Sequence, residues 1–161
     1  MLAPLILAAV TAERLAELAL ARRNTRALKA RGAWEAAPAH YRVIVIVHAA
    51  WLVCLWTWGR NAVAPEWLGA FLALQVLRTW VLATLGRRWT TRIIILPGAP
   101  LVSTGPYRIL PHPNYVIVIG EIASLPLALG LPAVAAAFTI LNLLILSVRV
   151  RAENKALATV R

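Results

Sequence analysis

The residues of this chain with the most chemical potential lie in one stretch, Gly105-Pro-Tyr-Arg-Ile-Leu-Pro-His-Pro-Asn-Tyr-Val-Ile-Val-Ile-Gly-Glu121. Pro106, Pro111 and Pro113 fix three φ angles and remove three backbone donors, so the backbone before Asn114 cannot be ordinary helix. His112 is held between two of those prolines, and Tyr115 follows at the start of an apolar run. A second polar group closes the last apolar run, Arg149-Val-Arg-Ala-Glu-Asn154, where Arg149 and Glu153 share a helical face. An imidazole, a phenol, a guanidinium and a carboxylate at a membrane surface suit a small, charged, aromatic-containing cofactor better than a metal. His112 has no histidine, cysteine or carboxylate near it at metal-ligand spacing. No Gly-x-Gly cradle for phosphate and no serine nucleophile motif is present.

The elements that must position these residues are hydrophobic. The 161-residue chain is 61% apolar and 14% charged, and the apolar residues fall in blocks: Leu2 to Ala12, Val43 to Gly59, Trp67 to Gly86, Tyr115 to Leu131 and Pro132 to Val148. Each block is about long enough to cross a bilayer, the first when extended through Leu20. The reading is an all-α polytopic integral membrane protein with about five transmembrane helices, the last two joined at Leu129-Gly-Leu-Pro132 as a tight hairpin. It forms one domain over residues 1–161: N-terminal helices over 1–88, then a loop, the hairpin and a helix end over 89–157. The apolar N-terminus lacks a basic n-region and is expected to be retained rather than cleaved as a signal peptide.

A net charge of +11 in a soluble chain raises nucleic-acid binding, but here the placement of charge excludes it. With Met1 outside, segments 22–42, 87–112 and 149–161 fall on one side and carry fourteen basic residues; the opposite loops carry only Arg60. That asymmetry makes the basic side cytoplasmic, and the expected location is the bacterial inner membrane with the polar loop facing the cytoplasm. Within the spans, Arg78 must find an acidic partner, and Glu13, Glu17 and Glu121 are the candidates. His48 could be a ligand or a proton carrier but reads first as a hydrogen-bonded structural histidine, and Cys54, the single cysteine, reads as a small core residue. The segment 89–114 holds five of the ten prolines and the apolar Ile93-Ile-Ile-Leu96, and should fold back over the cytoplasmic face.

Taken together, Gly105-Pro-Tyr-Arg-Ile-Leu-Pro-His-Pro-Asn-Tyr115, two hydrophobic helices and Arg149-Val-Arg-Ala-Glu153 resemble the isoprenylcysteine carboxyl methyltransferase family and its phospholipid methyltransferase relatives, in a bacterial branch. The resemblance covers about residues 89 to 157. It implies an integral membrane enzyme using S-adenosylmethionine, without a metal. It further implies that Gly105, Tyr107, His112, Pro113, Tyr115, Arg149 and Glu153 form the cofactor site. Arg149 and Glu121 are the candidate catalytic groups. Pro111, Ile117 and Asn154 depart from the common pattern, which has arginine, glycine and a second glutamate at those places. Partners implied are membrane lipids and a lipophilic acceptor. The basic rim favours O-methylation of a carboxylate or enol, such as a prenylcysteine-like group or a polyketide lipid of the alkylpyrone kind. Phospholipid N-methylation is the alternative, and a non-catalytic scaffold or transporter subunit is the alternative of another class; no internal repeat supports a transporter.

The charge asymmetry yields a direct test. In a Cys54→Ala background, single cysteines at Gly98 and Ala158 should both label with impermeant reagent from the cytoplasmic side only. Labelling from opposite sides contradicts this topology.

Overall fold

The computed structural model describes residues 2–158. It contains five helices: α1 (Leu2–Lys29), α2 (Pro38–Trp58), α3 (Pro65–Leu85), α4 (Pro113–Ala128) and α5 (Pro132–Ala158). Four of them begin at a proline, whose fixed φ and missing N–H suit the first helical turn. α2, α3 and α5 are long and apolar enough to cross a membrane, and α4 is a shorter apolar helix. α1 is 28 residues long but carries charge midway along its length. The protein is thus an all-α membrane protein with one small addition. Strand β1 (Trp34–Ala36) pairs antiparallel with β2 (Ile93–Ile95), Glu35 opposite Ile94.

This sheet shows how the proline-rich segment folds back. Ile93 and Ile95 pack with Ala36 and with Ala156 of α5, so the isoleucine run is covered by the chain rather than left in water. At the opposite end, the connection between α2 and α3 meets the α4–α5 hairpin. Arg60 N–H donates to Leu129 O and Ala64 N–H to Ala128 O, at 3.0 and 2.9 Å. Gly130 turns this hairpin with φ of +72°, and a Cβ there would press on the Arg60 side chain at 3.2 Å.

α1 explains how the bundle is assembled. Its core-facing positions Ala3, Leu7, Val10, Arg14, Glu17, Ala21, Asn24 and Leu28 alternate in steps of four and three, the seam of a helix packed along its neighbours. The apolar ends of this seam join two separate cores. Ala3, Leu7 and Val10 pack with Trp51, Leu55, Phe71, Leu125 and Leu129; Ala21 packs with Val81, Trp89 and Ile117. Between them lie the polar members of the seam. Arg78 of α3 donates to both Glu17 oxygens at 2.5 Å and to Glu121 Oε2 of α4 at 2.9 Å. Arg14 returns to Glu17 at 3.2 Å and to Glu121 at 3.0 Å. Two arginines and two glutamates therefore close a neutral ring, and Gln75 donates to the remaining Glu121 oxygen at 2.9 Å. The partner sought for Arg78 is two of the three candidates together; Glu13 makes no ion pair among the described residues. Further along, Asn24 Nδ2 donates to the carbonyls of Gly86 and Trp89, tying α1 to the end of α3.

An arginine buried in apolar surroundings is tolerable only while its counter-charges are in place. Arg78→Met should therefore cost about 3 to 5 kcal/mol in unfolding experiments in mild detergent, because it leaves Arg14 as the one arginine facing two buried carboxylates, Glu17 and Glu121. The wild-type melting temperature should be almost the same in low and high salt, since a sealed ring is poorly screened. A change below about 1 kcal/mol would mean that the ring behaves as a solvated surface cluster.

Candidate active site

The end of the bundle opposite the Gly130 turn holds a cavity of about 400 Å³ between β2, the proline-rich loop and the ends of α4 and α5. The loop is positioned by Gly105, whose φ of +57° is accessible to glycine and whose missing Cβ leaves room for Thr84 Oγ1, which a Cβ would meet at 2.6 Å. The turn that follows buries Pro106 and brings Tyr107 against Val81 and Trp89. Burial, with the Glu153 carboxylate adding to it, pushes the Tyr107 phenol up to about 12, so it stays a neutral donor at physiological pH. Pro113 then opens α4 at a buried N-terminal position, and His112 is the residue that precedes the helix.

Tyr115 joins the two polar groups of the sequence. Its ring stacks on His112 with centroids 5.3 Å apart, its hydroxyl donates to Glu153, and Arg149 Nε donates to the same hydroxyl at 2.8 Å. Arg149 Nη2 donates to the Thr91 carbonyl at 2.8 Å, and Nη1 has no partner among the described residues. The direct Arg149–Glu153 ion pair permitted by their spacing is absent among the described residues because the Tyr115 hydroxyl sits between them. His112 Nε2 lies 3.3 Å from Asn154 Oδ1, so the asparagine that departs from the family pattern is part of the site.

Of the residues expected to hold a cofactor, Tyr107, His112, Tyr115, Arg149 and Glu153 line this cavity. Gly105 and Pro113 do not; they shape the backbone that carries the others. Glu121 lies elsewhere, in the ionic ring, with both oxygens engaged and 3% of its surface exposed. It borders a second cavity of about 320 Å³ enclosed by α1, α2, α4 and α5, whose lining is mainly apolar.

The two cavities share a wall made of Trp89, Thr90, Asn114, Tyr115 and Arg149. Trp89 Nε1 and Asn114 Oδ1 in that wall are buried and make no hydrogen bond among the described residues, two of eight such side-chain atoms in the bundle. Sequence reasoning passed over both residues. Asn114 stood inside the quoted motif, and its position directly after Pro113, one turn before Ile117, was the available signal. Trp89 carried none, since its contacts come from Asn24 and Arg78, far away in the chain.

Glu35 and Arg92 also emerge only in the folded chain. Arg92 donates to Glu35 at 2.5 Å, Lys29 bridges to its other oxygen at 3.0 Å, and the Arg92 guanidinium lies 4.1 Å from the Tyr41 ring centre. Burial alone would raise the Glu35 carboxyl, but the hydrogen bonds and charges of Arg92 and Lys29 overcome it and hold the group below the usual carboxylate range.

With this geometry in view, the comparisons with known proteins agree. Residues 67–159 match the isoprenylcysteine carboxyl methyltransferase (ICMT) family. The chain is 38% identical over 159 residues to the uncharacterized protein YpbQ of Bacillus subtilis (strain 168), covering 95% of each. No solved structure matches. The chain belongs to the isoprenylcysteine carboxyl methyltransferase family, a family of membrane methyltransferases.

The Glu35 linkage has a pH signature. A depressed carboxyl contributes stability that is present above its unfolded value of 4.5 and is lost as pH falls through the folded value. Glu35→Gln should thus lower stability by under about 1 kcal/mol at pH 7 and by nothing at the acid end. Equal loss at both ends would contradict the assignment.

Proposed function

We propose that this chain is an S-adenosylmethionine-dependent methyltransferase that takes its cofactor into the polar cavity from the cytoplasm and a lipophilic acceptor into the apolar cavity from the bilayer. One observation carries the reading: a polar cavity and an apolar cavity meet across a single thin wall of polar side chains. A reaction between a water-soluble donor and a membrane-soluble acceptor needs such a meeting place.

The residues of the polar cavity fit that cofactor by the chemistry of their groups. Glu153 accepts hydrogen bonds from an ammonium or ribose hydroxyls. Arg88 and Arg92 face the same space and attract a carboxylate. Tyr107 and the His112–Tyr115 stack offer aromatic surface for a base. Asn114 and Trp89, in the wall shared by the two cavities, lie where donor and acceptor would approach. When bound, S-adenosylmethionine supplies an electrophilic methyl group on a sulfonium sulfur. The protein contributes alignment and exclusion of water, since a transfer that cancels opposite charges needs no covalent enzyme nucleophile. Arg149 touches both cavities and has an uncommitted Nη1, which orients an acceptor oxygen. Glu121 acts as the counter-ion that keeps Arg78 and Arg14 in the acceptor wall.

The acceptor class follows from charge. Segments 87–112 and 149–161 present eight basic residues, and Glu153 is the acid within them. Such a rim disfavours a cationic amine and favours an oxygen acid. We assign O-methylation of a lipophilic carboxylate or enol, at the inner membrane and on its cytoplasmic side.

Glu153→Ala and His112→Ala should each weaken cofactor binding at least tenfold, which is about 1.4 kcal/mol, in protein with an unchanged melting profile. Labelled cofactor incubated with enzyme and lipid extract should place label in O-methyl products. Unchanged affinity in both variants, or label confined to phosphatidylethanolamine derivatives, contradicts the assignment.

A further inference from the structure

His48 of α2 has no part in the reading above, yet it lines the apolar cavity. Its Nδ1 lies 2.9 Å from the Ile44 carbonyl of its own helix. A carbonyl oxygen can only accept, so Nδ1 carries the hydrogen whatever the charge of the ring. The neutral imidazole therefore has its lone pair on Nε2. That nitrogen makes no hydrogen bond, and it is not among the sealed, partnerless polar atoms of the interior, unlike Nε1 of Trp51 in the same lining. The tautomer is thus fixed so that a basic nitrogen stays accessible inside a hydrophobic chamber.

The charges around it explain what that nitrogen could serve. Arg14 from α1 and Arg78 from α3 line the same cavity, but the ring with Glu17 and Glu121 already neutralises both. Arg149 from α5 lines it too, and among the described residues it is the one guanidinium of the three without a carboxylate partner. Tyr41 and Tyr115 are the phenols in the same lining. The chamber thus offers one uncompensated cation and one free base. This combination suits an acceptor that enters as a neutral hydroxyl compound and becomes an anion inside.

We propose that His48 Nε2 is the proton acceptor for a hydroxyl-bearing lipophilic acceptor in the apolar cavity, with Arg149 stabilising the oxyanion that results. This rests on the two-cavity reading. In the step, the acceptor O–H bond breaks and its proton forms a bond to Nε2. The oxygen electron pair then forms the bond to the methyl carbon as the carbon–sulfur bond breaks, leaving that pair on sulfur. His48 afterwards returns its proton to water. A carboxylate acceptor, which arrives ionised, bypasses His48.

The test uses 4-dodecyl-2-nitrophenol, a lipophilic probe that turns yellow on ionisation. It is titrated with detergent-purified wild-type protein and with His48→Gln and His48→Asn, one pH unit below the probe's own midpoint in empty micelles, with the micelle spectrum subtracted. Wild type should bind the probe as the phenolate, with its midpoint moved down by at least one pH unit, to a tenfold higher proton concentration. Both variants should bind it within threefold of wild-type affinity but as the phenol. Methylation of the probe should then fall at least thirtyfold in the variants. Identical ionisation of bound probe in wild type and variants overturns the role of His48 and leaves the two-cavity reading standing. Failure of wild type to bind the probe, when S-adenosylhomocysteine still binds, overturns the acceptor cavity and this inference with it.

Discussion

The closed ring of Arg14, Glu17, Arg78 and Glu121 is the constraint on which the rest of the structure depends. It joins α1, α3 and α4 at mid-bundle and lies between two apolar cores. A helix as charged as α1 has weak reason to enter a bilayer on its own. Paired in the ring, its Arg14 and Glu17 become specific contacts, and they set the register in which Ala3, Leu7 and Val10 meet one core while Ala21 meets the other. The ring also borders the apolar cavity, so the same four groups that hold the helices together define the floor against which a lipid head would rest. Being neutral as a set, they let that floor be polar without attracting ions.

The candidate site depends on this arrangement at one remove. Arg78 lies 5.8 Å from the Trp89 ring centre, and Asn24 of α1 holds the Trp89 carbonyl, so the wall between the cavities stands on α1 and α3. Its other half, Tyr115 and Arg149, comes from the start of α4 and the late part of α5. The tight turn at Gly130 makes these ends come back to the same level, and the Tyr115 hydroxyl between Arg149 and Glu153 fixes their spacing. A polar hinge point is thereby built where four helices converge, although the residues lie far apart in the chain.

How much of this was legible before folding differs by residue. The helices could be read because apolar blocks bounded by prolines leave few alternatives, and the meeting of His112 and Tyr115 with Arg149 and Glu153 followed from the antiparallel hairpin alone. The need of Arg78 for acidic partners could be read from the cost of a buried charge; that Glu17 and Glu121 would share it could not, because sequence does not say which helix faces which. The strand pair was illegible for a different reason. Trp34–Ala36 has little strand propensity and three residues show no alternation, so only contact with Ile93–Ile95 makes it a strand. His48 was legible as a hydrogen-bonded structural histidine or, less favoured, a proton carrier; the Nδ1 bond to Ile44 fits the first and says nothing of Nε2, and the cavity beside it is a property of the packed bundle.

The most direct test of the account is a structure of the full chain in lipid nanodiscs with S-adenosylhomocysteine. The account predicts density for the nucleoside in the cavity between β2 and the end of α5, in contact with Glu153, with the sulfur at the wall formed by Asn114, Tyr115 and Arg149. Nucleoside density in the apolar cavity beside His48, or on the opposite face of the bundle near Arg60, would contradict it.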